Sequence, residues 1–129
     1  MDRIKSFRDL LAWNAAMDLV VTIYELAEKL PRSERFGLAA QIRRAAVSIP
    51  SNIAEGHAGG ARQRYLNHVR IAVGSLAELD TQVDLAVRLA FLSAEDLAWA
   101  AQQLTRTGQL LHGLARSLQA ERGHHNVER

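Results

Sequence analysis

Apolar residues return every three or four positions along almost the whole chain, the spacing of one face of an α-helix. From Asp9 to Leu30 the repeat is Leu10, Trp13, Met17, Val20, Tyr24 and Ala27; Ser6 or Asp9 can cap its start and Pro31 stops it. Ser33 is then expected to cap a second helix, with Glu34 in a first turn where the helix dipole favours an acid. Leu38, Ile42, Ala45, Ile49 and Ile53 make the apolar face of that helix, and Gly59 and Gly60 break it. A third repeat, about Ala61 to Phe91, carries Tyr65, Val69, Ala72, Leu76, Leu79, Val83, Ala86 and Ala90. At 1.5 Å per residue it would reach roughly 45 Å. Ser93 and Asp96 match a capping box, and behind them Leu97, Ala101, Leu104, Gly108, Leu111, Ala115 and Leu118 mark a fourth helix.

Long helices joined by connections of a few residues lie antiparallel to their neighbours, so the pattern predicts an all-α, up-down four-helix bundle. Residues 1–122 form its single domain, and residues 123–129, GHHNVER, read as a flexible polar tail. Leu66, Ile71, Leu85, Leu89, Leu110 and Leu114 fall beside the main stripes. Such a surplus suits either burial between copies of the chain or a broad core within one copy.

The stretch QIRRAAVSIPSNIAEG, residues 41–56, places a proline inside the second helix. With Ile42 at zero and 100° per residue, Leu38, Ala45, Ala46, Ile49 and Ile53 all lie within about 60°. Gln41, Arg44, Ser48, Asn52 and Glu55 fall between about −80° and −160°, a polar stripe alongside. Both sets keep phase across Pro50, so the helix is expected to continue through it with a kink. Proline removes the amide that would bond the Ala46 carbonyl, and Ser48, Ser51 and Asn52 can bond backbone groups near the bend. The stripe either lies between helices or subunits, with Arg44 and Glu55 paired elsewhere, or lines a ligand groove. Arg44 and Glu55 stand roughly 16 Å apart along a straight helix and cannot pair with each other.

Charge adds a second feature. The net charge of +2 over 129 residues hides a basic segment: residues 29–70 hold eight basic side chains against two acidic ones, while each flank is net −2. Fourteen of the sixteen basic residues are arginine, the side chain suited to bidentate contact with phosphate or carboxylate. The band points to a polyanion such as nucleic acid, or to solvated faces and subunit bridges. The absence of cysteine excludes disulfides and thiolate chemistry and suits a reducing cytoplasm. No stretch has the roughly 18 uncharged apolar residues of a membrane span, so a membrane partner is not expected.

The chemistry of known catalytic sites is not apparent. A carboxylate-bridged dimetal bundle requires a Glu-x-x-His step on each of two facing helices, and the chain has one, Glu121 to His124 at its polar end, so no metal or other cofactor is expected. His57, His68, His112, His124 and His125 read as surface or linker residues. Gly56, Gly59 and Gly60 read as a turn rather than a phosphate cradle, since no Lys-Ser/Thr follows them. Ser48 and Ser75 have no histidine three or four positions away on the same helical face. Glu78, Asp80 and Asp84 read as a solvated acidic face. Trp13 and Tyr24 belong to the apolar stripe of the first helix, while Tyr65 is placed either in the seam or against a nucleic-acid base.

FGLAAQIRRAAVSIPSNIAEG and the following RQRYLNHVRIAVGSLAELDTQV resemble the four-helix-bundle protein family of bacterial 23S rRNA intervening sequences. LLAWNAAMDLVVTIYELAEKLPRSE is similar to the same family's first helix, and the likeness covers roughly residues 7–92. The resemblance implies a homopentameric barrel of bundles. A related protein, the accessory variability determinant of diversity-generating retroelements, binds nucleic acid and a reverse transcriptase through basic surface. The resemblance also makes Gln41, Arg44, Ser48, Pro50, Asn52 and Glu55 a structural motif of the bend and subunit seam. The expectation is a non-enzymatic oligomer that binds RNA or DNA phosphates through Arg35, Arg43, Arg62, Arg64 and Arg70. The alternative is an adaptor that recruits a partner protein such as a reverse transcriptase. A hydrolase built on the polar stripe is a third reading, without a nucleophile–base pair to carry it.

Overall fold

The computed structural model describes residues 4–128, with side chains described for residues 4–120. Four helices follow one another: α1 (Leu11–Glu28), α2 (Leu38–Ala58), α3 (Arg62–Arg88) and α4 (Ala94–Glu128). α4 runs on to Glu128, through the residues from Gly123 onward expected to form a polar tail, whose side chains lie outside the described ones. Among the described residues α1 packs on α2 and α4, α3 packs on α2 and α4, and neither diagonal pair touches. That is the neighbour pattern of an up-down four-helix bundle.

Each helix end follows from local chemistry, once with a departure from expectation. Ser6 and Asp9 do form a capping box, but on a short 3-10 turn, Phe7–Asp9, and α1 begins only at Leu11. The Asn14 side-chain amide then donates to the Arg8 and Leu10 carbonyls, each at 2.9 Å. Ser33 does not cap α2. It sits in a second 3-10 turn, Arg32–Glu34, and the cap is the Glu34 carboxylate, which accepts from the Leu38 amide at 3.1 Å. Gly37 leaves room for that carboxylate, since a Cβ there would stand 2.9 Å from Glu34 Oε1. Gly60 takes φ +82° between α2 and α3, a conformation that suits glycine.

α3 ends in a Schellman motif: the Phe91 amide bonds the Ala86 carbonyl and the Ala90 amide bonds the Val87 carbonyl, both at 2.9 Å. The left-handed residue is Ala90, φ 63°, where glycine is usual. The capping box at Ser93 and Asp96 forms as the sequence predicts, with both reciprocal bonds at 2.9 Å. The Ser93 amide, then the Lys29 ammonium at 3.0 Å, bring the Asp96 carboxyl down to about 2. The same ion pair ties the end of α1 to the start of α4.

The core contains Leu19, Ile23, Ile42, Ile49, Ile53, Leu66, Val69, Leu79, Val83 and Leu111, all fully buried. In α2 this matches the predicted face, and α2 runs through a buried Pro50 without a break. α3 and α4 agree in large part, with Leu66 joining the core, and Ala100 and Thr107 taking places expected of Ala101 and Gly108. In α1 the predicted stripe is displaced: Ala27 is buried and Leu10, Trp13 and Val20 pack partly against the core, while Met17 and Tyr24 fall outside it. The buried face is Ala12, Ala16, Leu19, Ile23, Leu26 and Ala27. Met17 and Tyr24 are 41% and 43% exposed, and Trp13 is only partly buried, its ring 5.3 Å from that of Phe7. α1 carries apolar residues around most of its circumference, so two stripes with the same spacing compete. The buried one lies opposite Asn14, Asp18, Thr22, Glu25 and Glu28, so burying it leaves every polar residue of α1 toward water.

Candidate functional site

The polar stripe of α2 divides in two. Ser48 and Asn52 are half-buried against α3, whereas Gln41, Arg44 and Glu55 are exposed, and neither Arg44 nor Glu55 joins an ion pair among the described residues. The pairings expected of those two charges are therefore not made within one copy of the chain. Ser48 Oγ and Ser75 Oγ stand 2.8 Å apart, and Asn52 Nδ2 donates to the Ser48 carbonyl at 2.8 Å and to Ser48 Oγ at 3.0 Å. Asn52 thus binds the carbonyl of Ser48 and not that of Ala46, which Pro50 leaves without its usual amide.

Asn52 Oδ1 meets His68 Nδ1 at 2.9 Å. Because the Asn52 amide donates twice to Ser48, its oxygen faces the imidazole, and His68 Nδ1 must carry the hydrogen. His68 is thus part of a helix–helix bond rather than a surface or linker residue, a role its spacing could not disclose. In this chain of contacts no base reaches either serine hydroxyl; the imidazole binds an amide oxygen instead.

Gly56 also differs from its predicted role as a turn. It is a buried residue of α2, and a Cβ at that position would stand 2.7 Å from His68 Cβ and 3.3 Å from Tyr65 Cα. Its lack of a side chain sets how closely α2 and α3 approach. Tyr65 is partly buried beside it, with its ring 5.5 Å from His57 and a buried hydroxyl that finds no partner within the described protein. Burial raises its phenol pKa and removes it from the list of stacking platforms.

The five candidate arginines do not form one patch. Pairing of Ser48 with Ser75 and of Asn52 with His68 sets α2 and α3 in antiparallel register. By helix rise, Arg43 and Arg64 then sit roughly 20 Å apart along the bundle. Arg62 and Arg64 are exposed at the α2–α3 turn, the Arg64 side chain 3.3 Å from where a Gly59 Cβ would be, and Arg70 is exposed further along α3, about level with Ser51 and Asn52. Arg35 and Arg43 lie at the other end of α2, beside the α1–α2 turn. Arg43 is held between Glu28, 3.6 Å from its guanidinium, and the Tyr24 ring, 5.7 Å from its Cζ. Arg35 lies over the ring of its neighbour Phe36 at 5.4 Å. Both arginines line a groove of about 520 Å³ together with Arg32, Tyr24, Glu28 and Pro31. Arg32 was not among the sequence candidates; its place beside a proline in a basic segment was the available signal.

Glu78, Asp80 and Asp84 are exposed on α3, as read from the sequence. Partial burial, then the neighbouring Asp84 carboxylate, raise the Asp80 carboxyl above its usual range. Among the described residues no three histidine or acidic side chains cluster closely enough to hold a metal ion. No described helix is long and apolar enough to cross a membrane.

The fold is similar to the crystal structure of a protein of unknown function from the S23 ribosomal protein family of Bacteroides thetaiotaomicron, with a TM-score of 0.75. The two sequences are 23% identical, and the match covers 81% of this chain and 98% of that one. No curated protein matches the chain. The sequence pattern of the 23S rRNA-intervening sequence proteins matches residues 8–113, which span all of α1, α2 and α3 and much of α4, and the chain belongs to that family.

Proposed function

We propose that the protein is a non-enzymatic, cytoplasmic homo-oligomer, a pentameric barrel of bundles, that binds RNA or DNA phosphates through Arg35, Arg43, Arg62, Arg64 and Arg70. The observation that carries this reading is the exposure of Arg35, Arg64 and Arg70 with no carboxylate partner among the described residues. Arginine in that state is available to phosphate oxygens, which it meets bidentately. The exposed apolar residues Leu11, Met17, Val21, Ile71, Leu85 and Leu89 support self-association, since a lone subunit would leave them in water. Membership in a family tied to ribosomal RNA insertions fits a nucleic-acid partner.

Fluorescence anisotropy with labelled structured RNA and duplex DNA tests the reading. Affinity should fall steeply as salt rises, because arginine–phosphate contacts release counterions. Changing Arg43, Arg62 and Arg64 together to glutamate should abolish binding. Salt-insensitive binding, or none to either probe at about 50 mM salt, sinks the proposal. Light scattering checks the pentamer. The same exposed apolar residues favour a second reading, an adaptor for a partner protein such as a reverse transcriptase. A stoichiometric partner that stays bound after nuclease treatment would select it.

A further inference from the structure

We propose that the groove at the α1–α2 turn binds unpaired nucleotides: Arg32, Arg35 and Arg43 of its lining take the phosphates, and Tyr24 in the groove and Phe36, outside it against Arg35, stack bases. The inference rests on the nucleic-acid reading above and adds to it a site and a preference for single strands. At about 520 Å³ the groove is in the range of small-ligand pockets, roughly 300–1,000 Å³. Three guanidinium groups line it against one carboxylate, that of Glu28. Glu28 and the Tyr24 ring hold Arg43 from two sides, so one of the three cations is already oriented before a ligand arrives.

The aromatic residues separate this end of the molecule from the α2–α3 turn, where Tyr65 is turned inward. Tyr24 lines the groove with 43% of its surface open. Phe36 is 87% exposed, more than any other large apolar side chain among the described residues, and its ring contacts Arg35. Nothing in the packing of the bundle requires an aromatic ring at that position. Basic side chains interleaved with open aromatic rings are the composition of single-strand sites, because every base offers a π-face. Bases inside a duplex are already stacked on one another and cannot use those rings, so a duplex meets only the arginines.

The test uses the full chain with labelled oligo-uridylate, oligo-thymidylate and a duplex, each about 20 nucleotides long. Single strands should bind more tightly than the duplex. Phe36→Ala and Tyr24→Ala should each weaken single-strand binding about tenfold and duplex binding by much less, the duplex losing only the support these rings give Arg35 and Arg43. Phe36→Ala removes no core contact, which guards against a variant that merely misfolds. A loss with both polymers assigns stacking alone, and a loss with one adds selection of the sugar; either supports the pocket. If both variants bind single strands like the parent while Arg43→Glu weakens single strand and duplex alike, the surface is a phosphate binder without a pocket. Failure of the unaltered protein to bind any of the three overturns the nucleic-acid reading itself.

Discussion

Where α2 meets α3, Ser48, Asn52, Ser75, His68 and Gly56 stand between the helices; where α1 meets its neighbours, alanine, leucine and isoleucine do the packing. Both seams close a bundle, yet they constrain it differently. Hydrogen bonds and a glycine contact admit one register, because a shift of one residue separates donor from acceptor and puts a Cβ where none fits. An apolar seam accepts any rotation that buries enough area. On α1 two apolar faces were available, and the unused one remains outside at Met17, Val21 and Tyr24. The polar seam thus orders one pair of helices, while the leftover apolar face of α1 is free for contacts beyond the subunit.

The largest test of this contrast lies in α1. Ile23→Ala should cost about 3 kcal/mol of unfolding free energy in urea, because it empties a fully buried site. Tyr24→Ala, one residue further on, should cost less than about 1 kcal/mol in the dissociated subunit. Equal costs would mean that the predicted stripe faces the core after all.

A smaller effect is expected at the α2–α3 contact. Gly56→Ala should destabilise by about 2 kcal/mol, since the new methyl meets His68 Cβ and the Tyr65 backbone and not the end of a flexible side chain. Gly74→Ala is the control: nothing lies within 4 Å of a Cβ there, and the change should stabilise α3 by about 1 kcal/mol. If both glycines tolerate alanine equally, the close approach of α2 and α3 does not depend on Gly56.

Asn52→Ala gives the smallest change, a loss of about 1 kcal/mol. Its sharper readout is nitrogen NMR of His68, whose Nδ1–H tautomer should lose its preference once the Asn52 oxygen is gone. An unchanged tautomer ratio would show that some other acceptor holds the imidazole.

Much of the bundle was legible in the residues. Helix spacing, Pro31, the Gly59–Gly60 break and the Ser93–Asp96 box mark four helices. The phase of α2 reads correctly through Pro50, because polar residues flank its apolar face and leave one choice. The phase of α1 was visible only in its polar residues: Asn14, Asp18, Thr22, Glu25 and Glu28 share one arc of about 120°, opposite the buried face, whereas the apolar spacing alone allows a second stripe. The site was half legible. A basic segment with unusual arginine content is visible by counting, but its spread along the bundle depends on which residues of α2 and α3 lie level. The exposure of Phe36 and the place of Arg32 in a groove leave no periodic trace in the sequence.

The sequence by itself determined the number of helices and their up-down order, since these follow from local spacing, caps and breakers acting over a few residues. It also determined the family, through a motif in which proline and small polar residues keep helical phase. Only the tertiary structure decided that Glu34 rather than Ser33 caps α2, that Gly56 is a point of contact and not a turn, and that His68 binds Asn52. It also decided that Arg35 and Arg43 lie toward one end of α2 and Arg62 and Arg64 at the other, with Arg70 between. Each of these depends on atoms distant in sequence or out of helical phase, and such proximity is a property of packing that no stretch of residues carries alone.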